Sequence, residues 1–201
     1  MRVFTAAVMA LFLSTLAMAQ TTTATTTPTL PTTIYEQSIS MTDAAGNLVV
    51  IDYGAYLQAT TITLRNGSTR AGVSRTPKTR IIVVRPSKTE VMEYDGRIEV
   101  FAAGQKALYA VIDTETQGTS GTATTYTRSL VALPTASTLP AAVGGFPSLS
   151  VNPYAALRTV GDDKFTLVDP PPSPSSTTTR MGKVIAFNGS TFAVTTSASL
   201  P

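Results

Sequence analysis

The chain has 201 residues, enough for one domain with an ordinary core, and a formal net charge of +3. It contains no cysteine, no histidine and no tryptophan. Those absences exclude disulfides, His-ligated zinc and the Ser-His-Asp and Cys-His nucleophiles, so any catalysis would fall to carboxylates, Lys, Tyr, Ser or Thr.

The first nineteen residues read as a secretory signal peptide. Arg2 precedes an apolar run over residues 3–16, and the run closes with Ala17-Met18-Ala19, a small-x-small cleavage signature. The run is shorter than the roughly 20 apolar residues that span a bilayer. The expected product is secreted or periplasmic, with no transmembrane span after signal removal. A cysteine-free exported chain fits a bacterial source, and losing Arg2 takes the formal charge from +3 to +2. Residues 20–33 are almost all Thr, with Pro28 and Pro31, and read as a disordered leader.

From residue 34 to 201 the pattern predicts a β-rich domain. Short Val/Ile/Thr/Tyr/Phe runs alternate with Gly, Asn, Asp and Pro. Asn66-Gly67, Asp95-Gly96 and Asn188-Gly189 suit type I′ hairpin turns, in which both central residues take positive φ. The runs 90–94 and 97–101 are then a central hairpin, apolar on both faces, which leaves its buried face open. Asn152-Pro153 opens a stretch to Arg158 that suits one or two helical turns, with Pro153 at the first helical position. The Pro/Ser/Thr stretch 169–179 reads as an exposed polyproline-biased loop. The fold class expected is all-β, built from antiparallel hairpins.

A repeat underlies these strands. The runs 47–52, 107–113 and 164–169 each end in Asp, at Asp52, Asp113 and Asp169. Each has a later apolar partner run, over 79–84, 128–133 and 183–187. Such a period suits an array of antiparallel sheets.

The wording of these runs resembles secreted NHL-like and sensor-type β-propellers. Asp43-Ala44-Ala45-Gly46-Asn47-Leu48 resembles the Asp-x-x-Gly-Asn-Leu entry to an inner blade strand. The runs 107–113 and 128–133 are similar to an inner strand and the next strand of its blade. The resemblance spans about residues 40–196 in patches and implies a β-propeller-like architecture. Three units stand where propellers carry 4–8 blades. The alternatives are therefore a blade shared between the chain's two ends, a fragment of a larger array, or a β-sandwich.

Several clusters could carry chemistry. Arg65, Arg70, Arg75, Lys78, Arg80, Arg85 and Lys88 occur with no acid among them. Because Arg80 and Arg85 would face opposite sides of a strand, a polyanion patch would come mainly from a loop bearing Arg65, Arg70, Arg75 and Lys78. The other reading of this run is solvated loops and charged strand edges. Glu90, Glu93, Asp95 and Glu99, placed in one hairpin, could offer the carboxylate pair of a glycosidase, or simply its wet face. Asp162 and Asp163 with Asp169 could offer oxygens to Ca²⁺, though adjacent acids are usually just solvated; Asp43 with Asn47 could do so too, but that cluster is first of all turn chemistry. Strand-ending Asp52, Asp113 and Asp169 would be rim residues if the units are blades; the other reading is that they accept turn N–H groups. No cofactor motif, metal spacing or specific nucleic-acid signature is present, and no catalytic residue can be named.

The function expected is that of a secreted, non-catalytic β-rich binding protein whose partner is an envelope protein, a glycan or another polyanion. The alternatives are a His-independent carboxylate hydrolase and a structural surface or adhesin component. Export has a direct check. N-terminal sequencing of secreted material should begin at Gln20, or at its pyroglutamate form, and a retained Met1 would contradict the signal peptide.

Overall fold

In the computed structural model, the described residues are 30–116, 123–170 and 182–197. The signal segment, most of the leader and most of the 169–179 stretch lie outside them. Twelve strands form three four-stranded antiparallel sheets, none closed into a barrel. Among the described residues there is no α-helix, only a 3-10 turn at Val143–Gly145. No helix here is long and apolar enough to cross a membrane.

Each sheet is a meander of consecutive strands. The first holds β1 (Thr32–Thr42), β2 (Leu48–Thr63), β3 (Thr69–Val84) and β4 (Thr89–Asp95). The middle one holds β5 (Ile98–Ala103), β6 (Leu108–Thr116), β7 (Thr125–Leu133) and β8 (Ser148–Val151). The third holds β9 (Ala156–Gly161), β10 (Lys164–Val168), β11 (Gly182–Phe187) and β12 (Phe192–Ser197). β1 begins at Thr32, so the last two residues of the expected leader are strand.

The sheets stack face to face through two cores. Alternate residues of β2 and β3 (Val49, Ile51, Tyr53, Ile81, Val83) meet Ile98, Leu108, Ala110, Val131 and Leu133 of the middle sheet. The other face of that sheet, through Tyr109, Leu130 and Ala132, meets Phe165, Leu167, Ile185 and Phe187 of the third. The period-2 alternation of strands allows this, since β6 and β7 send successive side chains to opposite cores. Tyr109 lies at the centre of the second core, with its ring 4.6 Å from Phe165 and 5.9 Å from Phe187. Burying side chains of this size contributes about 1.5–3 kcal/mol each.

The expected central hairpin is not one. Asp95-Gly96 joins β4 and β5, but β4 pairs with β3 and β5 pairs with β6. The link is short because it crosses between sheets instead of reversing within one. That is why both faces of this stretch are apolar: Met92 and Tyr94 face one core, Ile98 and Val100 pack on it from the opposite sheet, and Val91 is left outside. Buried Thr79 staples the crossing. Its hydroxyl donates to the Gly96 carbonyl at 2.9 Å and accepts the Ile98 N–H at 3.0 Å. Tyr53 Oη accepts the Val100 N–H at 3.2 Å.

The turns differ from type I′ as well. Asn66, Asp95 and Asn188 keep negative φ, and only Gly67, Gly96 and Gly189 are positive. At β2–β3 the loop has three residues, closed by Gly67 N–H to Leu64 O and Leu64 N–H to Ser68 O. One left-handed glycine after a type I turn is enough for such a loop. Asp43 to Asn47 repeats the construction, with Gly46 at φ +82. The stretch expected as helical turns is one reverse turn, Asn152 O accepting Ala155 N–H at 3.1 Å, and β9 follows at once.

Thr79→Val should cost about 1–3 kcal/mol, the usual penalty for orphaning a buried polar group. Urea unfolding would show it as a lower midpoint at unchanged slope. Thr79→Ser, which keeps the hydroxyl, should recover most of the loss.

Candidate binding surface

The basic run lies on the first sheet. Residues 69–78, expected as loop, are strand within β3. Arg65 sits in the three-residue loop, and Arg70 and Arg75 stand opposite Ile62 and Leu57. Five residues apart on one strand, Arg70 and Arg75 face opposite sides. Arg75 is ion-paired with Glu36 at 2.6 Å, and Lys78 is ion-paired with Asp95. The four residues therefore do not gather into one patch. Arg80 pairs with Asp52 and Arg85 with Glu90, both at 2.6 Å. The neutralising acids come from β1, β2 and β4, outside the basic run, and the sheet brings them alongside. β1 reaches β2 only as far as Leu57, and β4 reaches β3 only as far as Lys78. Beyond them, residues 58–74 project as a two-stranded ribbon tipped by Arg65 and Arg70; neither is in an ion pair among the described residues.

The carboxylates expected in one hairpin are dispersed. Glu90 is half-buried beside Arg85 and accepts the Leu139 N–H at 2.9 Å. Glu93 faces outward and accepts the Tyr35 hydroxyl at 2.6 Å. Glu99 belongs to the middle sheet. Burial raises the Tyr35 pKa to about 12, reinforced by the Glu93 bond.

The turn aspartates act as staples. Asp43 Oδ1 accepts the N–H groups of Ala45 and Asn47, while Oδ2 accepts the Asn47 amide and, from the loop after β7, the Thr135 hydroxyl. Asp163, at φ 56, accepts Lys106 N–H at 3.1 Å and the Tyr109 hydroxyl at 2.6 Å. Burial, then that bond, drives the Tyr109 pKa far upward. Asp162, Asp163 and Asp169 do not converge, and among the described residues no cluster of three metal-ligating side chains forms.

Asp52 and Asp113 do not end their strands, and they do not accept turn N–H groups. Each lies within its strand, directly opposite an arginine: Asp52 faces Arg80, and Asp113 faces Arg128. Arg128 grips Asp113 with two hydrogen bonds of 2.6 and 2.7 Å. Asp169 departs from the pattern: it lies one residue past β10 and is ion-paired at 3.6 Å with Lys183, which stands opposite Leu167.

The Arg128–Asp113 pair forms one wall of a cleft of about 410 Å³ at the end of the crevice between the middle and third sheets. Glu115 and Tyr126, opposite each other on β6 and β7, continue that wall. Pro153 and Tyr154 close it from the turn that carries the chain into the third sheet. Asn152 Oδ1 accepts the Tyr154 N–H at 3.0 Å and fixes that turn. Tyr126 is 50% exposed and Tyr154 71% exposed. Sequence reasoning used Asp113 only as a strand end and missed the cleft. Its parts are some 40 residues apart in the chain, and only exposed aromatics flanking strand charges hinted at it. No family model, curated protein or solved structure matches this chain.

Four carboxylates are held below the ordinary range. Arg128 lowers Asp113 against a smaller burial effect. Burial pushes Asp43, Asp52 and Glu90 upward, but hydrogen bonds from Thr135 and Asn47, from Ser38 and Arg80, and from Arg85 and the Leu139 N–H, respectively, outweigh it. The unfolded chain therefore binds more protons than the fold in acid, and stability falls as pH drops. Unfolding free energy should decline once pH passes below about 4, the unfolded carboxylate range, and through the lower folded values. Asp43→Asn should remove part of that slope in urea titrations run at stepped pH. A profile flat down to pH 2 would contradict the assignment.

Proposed function

We propose that this is a secreted, non-catalytic binding protein, built as a stack of propeller-type blades, that holds a neutral glycan in the Tyr126–Tyr154 cleft. Three features support the blade reading. Each sheet is a consecutive four-stranded meander. The sheets pack face to face. An Asp–Arg rung joins the second and third strands of the first two sheets, and in the third Asp169 pairs with Lys183 just past the end of β10.

The observation that carries the glycan reading is the composition of the cleft. Its volume lies within the 300–1,000 Å³ of small-ligand sites. Tyrosine rings present an electron-rich face that the polarised C–H face of a pyranose covers. Beside them, the fixed Arg128–Asp113 fork and Glu115 offer planar donors and acceptors for vicinal hydroxyls. Glu115 disfavours an anionic ligand in the cleft.

The pairing with Arg128 unsuits Asp113 for the acid role in hydrolysis. Asp113 and Glu115 share a face, as a glycosidase pair must, but glycosidic cleavage needs a carboxylic acid held protonated by a raised pKa. Asp113 is shifted the other way.

Neutral oligosaccharides should bind in calorimetry or on a glycan array with little salt dependence. Tyr154→Ala should weaken binding at least tenfold and leave the melting temperature within about 2 °C, since the side chain is outside both cores. Absence of binding to any neutral glycan, or unaltered binding in Tyr154→Ala, would count against the cleft. Binding only to heparin, lost as salt rises and lost in Arg65→Ser/Arg70→Ser, would instead favour the polyanion reading at the ribbon tip.

A further inference from the structure

The outer face of the first sheet is apolar where the fold offers it no cover. Side chains directly opposite across the sheet lie on one face. One outer row runs Thr42, Leu48, Val84, Thr89. The next runs Ser40, Val50, Ile82, Val91. Leu48 is 44% and Val91 52% exposed, and Val50, Ile82 and Val84 complete a contiguous aliphatic patch. A patch of this kind on a sheet face marks an association surface.

The adjacent rows carry charge that is already paired. Asp52 accepts Ser38 Oγ at 2.6 Å and Arg80 Nε at 2.8 Å. The Arg80 guanidinium lies 4.1 Å over the Tyr35 ring, and Tyr35 in turn bonds Glu93. Lys78 pairs with Asp95. A bulge in β1 between Tyr35 and Gln37 accompanies this placement of Tyr35. The bulge presses so close to Gly54 that a Cβ there would stand 2.0 Å from Ile34 O. Charges that satisfy one another within the face can be covered without being orphaned. This favours an occupant that brings no compensating charge of its own.

We propose that this face is the interface of a homodimer, with the first sheet of one copy packed on the first sheet of the other. Within the molecule, the surface that covers a sheet face of this kind is another four-stranded sheet, as the middle sheet covers the inner face. A second copy supplies a sheet with the same aliphatic rows. A two-fold axis then sets each patch on itself, an isologous contact that closes at two. Face-to-face sheets sit about 10 Å apart at about 30°, which lets the two sets of rows interdigitate. The proposal is independent of the glycan cleft, which opens between the other two sheets.

Sedimentation equilibrium of the mature protein, from about 1 to 100 μM to bracket a micromolar Kd, tests it. Wild type should show twice the chain mass at the upper end. Val91→Glu should be monomeric throughout, at least tenfold weaker in association, with an unchanged strand signal in circular dichroism. Val160→Glu, an exposed site on the third sheet, should dimerise like wild type. If Val91→Glu misfolds, thiol reactivity decides, because the chain has no other cysteine. Val91→Cys should react with maleimide slowly when concentrated and quickly when dilute, and Val160→Cys quickly at both. A wild-type monomer across the range would overturn the proposal. So would a Val91→Glu variant that still dimerises, or equal reactivity at the two cysteines.

Discussion

The crossing from β4 to β5 sets the architecture. With only Gly96 and Arg97 between the strands, β5 must start directly above the corner of the first sheet. It cannot pair with β4 and lie flat. Gly96 supplies the positive φ for the sharp turn, and Thr79 takes over the hydrogen bonds that a ladder would otherwise have made. Buried backbone groups must find partners, so the side chain at position 79 has to be a small hydrogen-bonding one. Once β5 is fixed there, β6 and β7 fall over β2 and β3, and the middle sheet presents its far face to whatever follows. Asp163 then repeats the task between the middle and third sheets by holding Lys106 and Tyr109.

Composition and alternation made the strand class legible, as did the pairing of each Asp-ended run with its later partner. Those partners are the second and third strands of each sheet. The reason is physical: the paired cation at Arg80, Arg128 or Lys183 belongs to the same repeat as the aspartate, so the charge complement is written beside the apolar pattern. The hairpin read at Asp95-Gly96 failed because local turn chemistry is the same whether a chain reverses within a sheet or steps to the next one. Only the two-sided apolar pattern of β4 and β5 separates the cases, and it reads as ambiguity until a second sheet is known to exist. The basic run misled for a related reason. Its compensating acids, at Glu36, Asp52, Glu90 and Asp95, lie outside the run and join it only through pairing of β1, β2 and β4 in the sheet.

The cleft was the least legible feature. Asp113 and Arg128 belong to the repeat, and the first sheet has the same rung in Asp52 and Arg80. There Tyr35 lies on the arginine and the rung is covered. In the middle sheet the equivalent rung stands at the end of a crevice, flanked by Tyr126 and Tyr154, and is open. A rung shared by two sheets is thus covered in one and open in the other, through what surrounds it. Sequence pattern reports the rung and is silent on the surroundings.

That distribution bears on chemistry as well as on packing. A chain without histidine must raise a carboxyl or lower a lysine to move protons near neutrality. Burial would do so for Asp43, Asp52 and Glu90, yet each is surrounded by donors that outweigh it. These acids are committed as hydrogen-bond acceptors: they join strands and turns, and they remain ionised while doing it. A fold that spends its buried carboxylates on holding sheets together keeps them from acting as proton donors, and what it leaves exposed is aromatic rings, fixed charge pairs and apolar sheet faces. Those are the surfaces on which the proposed binding reading rests.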